Sequence, residues 1–304
     1  MIEVKNLSKS LGNKKILQNI NLKVNKGSIF GLIGENGVGK TTLIKCLTGI
    51  YKPDEGDIKI NNQEVFENVE VKKYVGYVSD ENQYYTSFKI SELVKFYKLS
   101  YETFSYDRFK EINEIFKIPE NKRIRQFSKG MKMRVALMLN LSFYPKVLIL
   151  DEPTSGLDPI ITRKLMNLLI EEVSERKTTV FISSHHIMNL EKICESIAIM
   201  EEGTVRYLDS LDSMKNNIKK LQTLFKYTRV LEEIKSWDEV MKIERVGKIT
   251  YIITKDYSEK LKKRLLDKGS EFVEEVELSL EDMFIHCVEE EDGNEKNIEK
   301  TFDL

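Results

Sequence analysis

Four short apolar runs punctuate the chain: Ile29-Phe30-Gly31-Leu32-Ile33, Val147-Leu148-Ile149-Leu150, Thr178-Thr179-Val180-Phe181-Ile182 and Ser196-Ile197-Ala198-Ile199-Met200. None alternates apolar with polar positions. Continuous runs of this length predict parallel strands covered on both faces. Helical periodicity intervenes, with Ile161, Leu165, Leu168 and Leu169 on one stripe. This strand–helix alternation predicts an α/β fold around a parallel sheet. The earliest segments differ. Ile2–Leu7, Ile20–Val24 and Asp57–Ile60, separated by Gly, Asn and Pro turns, predict antiparallel strands. From about Ser91 to Tyr144 helical patterns dominate, which predicts a helical subdomain inserted at about 90–145. After Ser210 the pattern becomes that of a small α+β unit. Strands are expected at Ile249–Ile253 and Phe272–Leu278, and helices at Tyr257–Leu266 and Leu280–Val288. The acidic tail from Glu289 is expected to fray.

A length of 304 residues suits two domains, set here at 1–210 and 211–304. The formal net charge is −1, so no global field draws the chain to nucleic acid, and none is expected as a partner. Cys46, Cys194 and Cys287 are far apart, without the spacing of a zinc site, and fit a reducing compartment. The residues after Met1 lack the apolar core of a signal peptide. No run approaches the ~18 apolar residues of a membrane span. Action at a membrane would need another chain to do the spanning.

Candidate chemistry begins at Gly34-Glu35-Asn36-Gly37-Val38-Gly39-Lys40-Thr41, which matches GxxxxGK[ST] and is followed by Thr42. It follows a predicted strand and opens a predicted helix, the context that gives this motif meaning. The glycines let backbone N–H groups turn inward, and these with the helix N-terminus bind phosphate oxygens. Lys40 would meet the β- and γ-phosphates, and the Thr41 hydroxyl would ligate Mg²⁺.

The strand Val147–Leu150 ends in Asp151-Glu152. Ligands of open α/β sheets sit at the carboxyl ends of strands. Asp151 would face a metal beside the phosphates, and Glu152 would orient or deprotonate the attacking water. The bland alternative is a turn that caps the strand before Pro153.

Further residues bring in a family. Phe127-Ser128-Lys129-Gly130-Met131 resembles the ABC signature, usually Leu-Ser-Gly-Gly-Gln; Ser128 and Gly130 match, and the other three depart. Asp151-Glu152-Pro153-Thr154-Ser155-Gly156-Leu157-Asp158 resembles that family's Walker B and D-loop, and Phe181-Ile182-Ser183-Ser184-His185 its switch-histidine strand. The resemblance covers roughly residues 1–210. It implies a P-loop ABC ATPase domain with parallel core, antiparallel β subdomain and helical subdomain, followed by the small α+β domain. It also implies ATP and Mg²⁺, and a head-to-tail dimer, here a homodimer, whose sites pair one chain's phosphate loop with the other's Ser128 and Gly130. His185 rather than the adjacent His186 is implied to act with Glu152. His286 falls in the expected C-terminal appendage and is read as bland.

Leu11 falls where the family usually stacks an aromatic residue on adenine, so apolar contact would replace stacking. The strand Val75–Ser79 leads into Asp80 where a glutamine is usual, with Gln83 three residues on. Asp80 is taken as the metal contact, with Gln83 as the alternative. Tyr84, Tyr85 and Phe88 suit either docking of a membrane-subunit helix or packing between core and helical subdomain. Asp80, the Ser-Gly-Leu-Asp D-loop and Leu280-Glu281-Asp282-Met283-Phe284 resemble stand-alone ATPase subunits of bacitracin-resistance and drug exporters. That group implies two membrane-spanning permease subunits, residence at the cytoplasmic face of the membrane, and a peptide, antibiotic or lipid-like substrate. The alternative is a non-transport ABC ATPase that acts in sensing or regulation with a soluble partner.

Overall fold

The computed structural model describes residues 1–277 other than 83, 85, 86, 186, 214–217, 226, 228 and 256. The expected helix at 280–288, the motif at 280–284, His286, Cys287 and the acidic tail lie outside the described residues, as do Gln83, Tyr85 and His186. The chain forms two units, Met1–Leu208 and Asp209–Leu304.

The first unit holds two sheets. One is antiparallel, built from β1 (Ile2–Leu11), β2 (Lys14–Val24), β4 (Glu55–Ile60) and β5 (Gln63–Glu64) in the order β2-β1-β4-β5. The other is six-stranded: β3 (Ile29–Ile33), β6 (Val75–Val78), β7 (Val147–Asp151), β8 (Thr179–Ser184), β9 (Ser196–Glu201) and β10 (Thr204–Ser210) run in the order β10-β9-β3-β8-β7-β6. The pairs from β9 across to β6 are parallel. β3 and β7 are buried at every position, as their unbroken apolar runs require. The sequence pattern did not mark β10. It is added through a two-residue turn in which Glu202 and Gly203 both have positive φ (41° and 79°), the twist-matched hairpin geometry. Phe30, Ile149 and Phe181 of the parallel sheet share one core with Leu17, Ile20 and Ile58 of the antiparallel sheet.

Helices α1 (Lys40–Leu47) and α2 (Val69–Lys72) precede β6, and α6 (Pro159–Arg176) and α7 (Ile187–Leu190) follow β7 and β8. The helical subdomain comprises α3 (Ile90–Ser100), α4 (Tyr106–Phe116) and α5 (Lys129–Leu141). Two buried polar contacts fasten it. Asn140 of α5 accepts the Tyr77 amide of edge strand β6 at 3.0 Å. Arg108 of α4 holds the fully buried Glu172 of α6 at 2.5 Å, and Arg176 adds a bond at 3.1 Å. Tyr84 joins the same packing: it lies beside Tyr97, and burial pushes its phenol well above the ordinary range and the Tyr97 phenol up to about 12. Phe88 is half-buried. Cys46 and Cys194 are buried free thiols, and burial raises Cys46 to about 11, which makes it inert.

The second unit is an antiparallel sheet with two helices. β11 (Ile218–Phe225), α8 (Val230–Lys235), β12 (Val240–Val246), β13 (Ile249–Lys255), α9 (Glu259–Asp267) and β14 (Ser270–Val276) follow in sequence, and the sheet order is β12-β13-β11-β14. That is the split β-α-β-β-α-β arrangement. Leu221, Phe225, Ile252 and Val273 meet Leu261 and Leu265 of α9 in its core. Ser258 caps α9 by accepting the Leu261 amide. Lys219 and Lys220 break the period-2 pattern of β11, and β12 buries only Val240, so neither strand carries an alternating signal along the chain.

Candidate nucleotide site

Residues 34–39 link β3 to α1. Glu35, Asn36 and Gly37 are open to solvent, Val38 is half-buried, and Gly34, Gly39 and Lys40 are buried. Gly39 sits at φ 111°, and a Cβ there would lie 2.9 Å from Met200 Cε and 3.0 Å from Leu17 Cδ2. Only glycine accepts both that backbone and that contact. Gly39 also begins α1 without any side-chain cap, and no acidic residue occupies the first turn. The helix N-terminus is therefore left for an anion. The Thr41 side chain is exposed beside it and Thr42 is buried.

The Lys40 ammonium donates to the Gly34 and Glu35 carbonyls at 2.7 and 3.0 Å. Its charge also stands 3.4 Å from Glu152 Oε1. Both partners are nearly buried, so the pair is poorly screened. The other Glu152 oxygen, Oε2, lies 2.9 Å from His185 Nδ1 and accepts the His185 amide at 3.3 Å. Glu152 has φ 48°, a left-handed conformation uncommon for this residue, which turns the chain sharply off β7.

Ser183 is a site residue that the sequence reading left without a role. It lies opposite Asp151 in the β7–β8 register. Its hydroxyl donates to Asp151 Oδ1 at 2.7 Å and accepts the Glu152 amide at 3.1 Å. A serine at the end of an apolar strand, one register step from the acidic pair, was the available signal. Asp151 is buried, and its Oδ2 has no hydrogen-bond partner among the described residues. Burial pushes its carboxyl above the ordinary range, the Ser183 and Thr41 hydroxyls pull it back, and the Glu152 and Asp80 charges add to the rise. An unsatisfied buried carboxylate oxygen beside Thr41 suits a hard cation. Among the described residues no three His, Cys, Asp or Glu side chains enclose a metal. Magnesium fits such a site, because it keeps water and phosphate oxygens as ligands.

The other expected residues lie around this centre. Ser128 caps α5, its hydroxyl accepting the Met131 amide at 3.2 Å. Gly130 is buried, and a Cβ there would lie 2.1 Å from the Gly156 carbonyl oxygen, so the start of α5 rests directly on the turn after Glu152. Asp158 caps α6 by accepting the Ile160 and Ile161 amides. Asp80 forms an ion pair with Lys129 at 2.7 Å. Leu11 is 41% exposed on the β1–β2 hairpin.

Comparison with known proteins accords with this geometry. The family model described as ABC transporter matches residues 17–155. The ABC transporter ATP-binding protein YtrB of Bacillus subtilis (strain 168) is 30% identical over 285 residues, which cover 94% of this chain and 97% of that protein. The chain belongs to the ABC transporter ATP-binding family. Two further relatives of the family differ in the task their names give. The bacitracin transport ATP-binding protein BcrA of Bacillus licheniformis is 32% identical, covering 72% of this chain and 73% of that protein. The methionine import ATP-binding protein MetN of Clostridium tetani is 35% identical, covering 66% of each. Among solved structures, the dimeric post-hydrolysis state of the cassette MJ0796 bound to ADP and Pi superimposes with a TM-score of 0.64. It is 25% identical and covers 69% of this chain and 99% of that one. As a member of this family the chain is an ATPase. ABC ATPases work as dimers with membrane permease subunits. No helix among the described residues is long and apolar enough to cross a membrane.

Proposed function

We propose that this ATPase energises export of a peptide, antibiotic or lipid-like substrate through a separate membrane-spanning subunit, working from the cytoplasmic face as a homodimer on two permease subunits. The observation that carries the hydrolytic part is the placement of Glu152 between the Lys40 ammonium and the His185 ring. Similarity to BcrA, together with Asp80 where a glutamine is usual, supports export.

In this reading the loop at 34–39, with Val38, Lys40, Thr41 and Thr42, binds the ATP phosphates, and Leu11 lies against the base. Thr41 and Asp151 would hold Mg²⁺, with Asp80 as the third candidate, and the ion would neutralise charge on the β- and γ-phosphate oxygens. Glu152 orients the attacking water and takes its proton, and Lys40 balances the charge that develops on the γ-phosphoryl group. His185 holds Glu152 from the other side. Ser128 and Gly130 meet the nucleotide held by the second subunit. Hydrolysis reopens the dimer and shifts the permeases between two states.

Two experiments test this. Purification of the tagged protein in mild detergent should recover a stoichiometric polytopic membrane protein; a soluble partner alone contradicts the transport reading. Cells that carry Glu152→Gln should then retain more of a labelled peptide antibiotic than wild-type cells. Unchanged or lower retention across a panel of such antibiotics contradicts export.

A further inference from the structure

Lys129 departs from the family signature, and its side chain does something that a glycine at that position could not. It is the first residue of α5, after the Ser128 cap. Its ammonium lies 2.7 Å from Asp80 Oδ1, in the loop after β6. The same ammonium donates to Ser155 Oγ at 2.9 Å, in the turn after β7. Backbone contact reinforces the second link, because the Gly156 carbonyl rests on Gly130 with no room for a Cβ. One cation thus ties together the loop after β6, the start of α5 and the Ser155-Gly156 turn. Asp80 also sits close enough to Asp151 for its charge to be felt there.

We propose that Lys129 is a positioning residue that couples the Asp80 loop to the Ser155-Gly156 turn, so that drawing Asp80 toward bound nucleotide also releases the turn that follows Glu152. The coupling must be breakable, and the geometry makes it so. Lys129 is 49% exposed and Asp80 36%, so the pair is solvent-screened and weak. A weak link suits an element that must change partners during a catalytic cycle, whereas a buried pair would resist it. The assignment of Asp80 to the nucleotide rests on the function proposed above. The mechanical link between the two loops does not.

Hydrogen exchange of the nucleotide-free protein separates the two. Lys129→Ala should speed exchange about two- to fivefold in both 79–82 and 153–158, the factor expected for losing a partly exposed pair. Lys129→Arg should restore wild-type rates. Asp80→Asn is the decisive variant, because it should speed exchange at 153–158 without touching that turn. A purely local role for Lys129 would leave 153–158 unmoved in Asp80→Asn, and that result overturns the proposal even if Lys129→Ala is too unstable to measure. Binding of a fluorescent ATP analogue by the same proteins reports independently on the nucleotide site. Absent binding in the wild type would remove the proposed function while leaving the loop coupling to stand or fall on exchange.

Discussion

His185 Nδ1 and Glu152 Oε2 stand 2.9 Å apart, at the ends of the adjacent parallel strands β8 and β7. The contact closes a line from Lys40 through Glu152 to His185. Each neighbour restrains one carboxylate oxygen, which pre-sets the direction in which Glu152 can receive a proton. Removing the ring should therefore act on turnover. His185→Ala is expected to bind ATP normally and to lose about 10²- to 10⁴-fold in kcat. Steady-state kinetics with equilibrium binding checks this. A raised KM with unchanged kcat would assign His185 to binding instead.

Ser183 should matter through the two residues it joins. Ser183→Ala leaves the Glu152 amide and Asp151 Oδ1 without their buried partner. The expected cost is about 1–3 kcal/mol in denaturant unfolding. Turnover should fall as well, because the hydroxyl fixes the turn at Glu152. Unchanged stability would mean that water replaces the hydroxyl and that the register contact is incidental.

Gly130→Ala gives a test in which two effects have opposite signs. Helix propensity favours alanine over glycine in α5 by about 1 kcal/mol. The Cβ would meet the Gly156 carbonyl at 2.1 Å, which is backbone against side chain with nothing flexible to yield. The clash should win, with a net loss of about 1–3 kcal/mol and impaired hydrolysis. A stabilised, fully active variant would show that the close approach does not persist in solution.

The Arg108–Glu172 pair should behave as a buried ion pair that cannot lose one member. Arg108→Ala strands the Glu172 carboxylate and should cost about 3–5 kcal/mol. Burial already holds Glu172 above its ordinary 4.5, with Arg108 and Arg176 opposing. Without Arg108 the folded protein would bind that proton still more tightly than the unfolded chain does. Stability then falls as pH rises above about 4.5. The deficit of the variant should be smallest at and below the ordinary glutamate value and should grow as pH rises above it. A deficit that does not vary with pH would locate the loss in packing rather than charge.

The parallel sheet was legible because its strands are covered on both faces and carry unbroken apolar runs. The phosphate loop was legible because its glycines, lysine and threonine are adjacent in sequence. β11 was not, since Lys219, Lys220 and the polar Thr223 mask the alternation that Leu221, Thr223 and Phe225 follow toward the core, and β12 was not, since only its Val240 is buried. β10 was missed for a similar reason, having no fully buried position. Ser183 and Lys129 show a different limit. Their partners Asp151 and Asp80 come from distant segments, and only strand register and loop placement bring them together. Read along the chain, Ser183 is a small polar residue at a strand end, and Lys129 is a departure from a signature. Tyr84 suited docking or packing equally until the fold set it beside Tyr97, where burial raises its phenol.

In the proposed mechanism Glu152 handles the attacking water while the loop around Lys40 holds ATP. The most direct measurement is single-turnover hydrolysis by Glu152→Gln alongside equilibrium ATP binding. The variant is expected to bind ATP as well as wild type, to accumulate as a nucleotide-bound dimer and to lose hydrolysis almost completely. Hydrolysis at the wild-type rate with ATP bound would contradict the account and move the role in proton transfer to another residue.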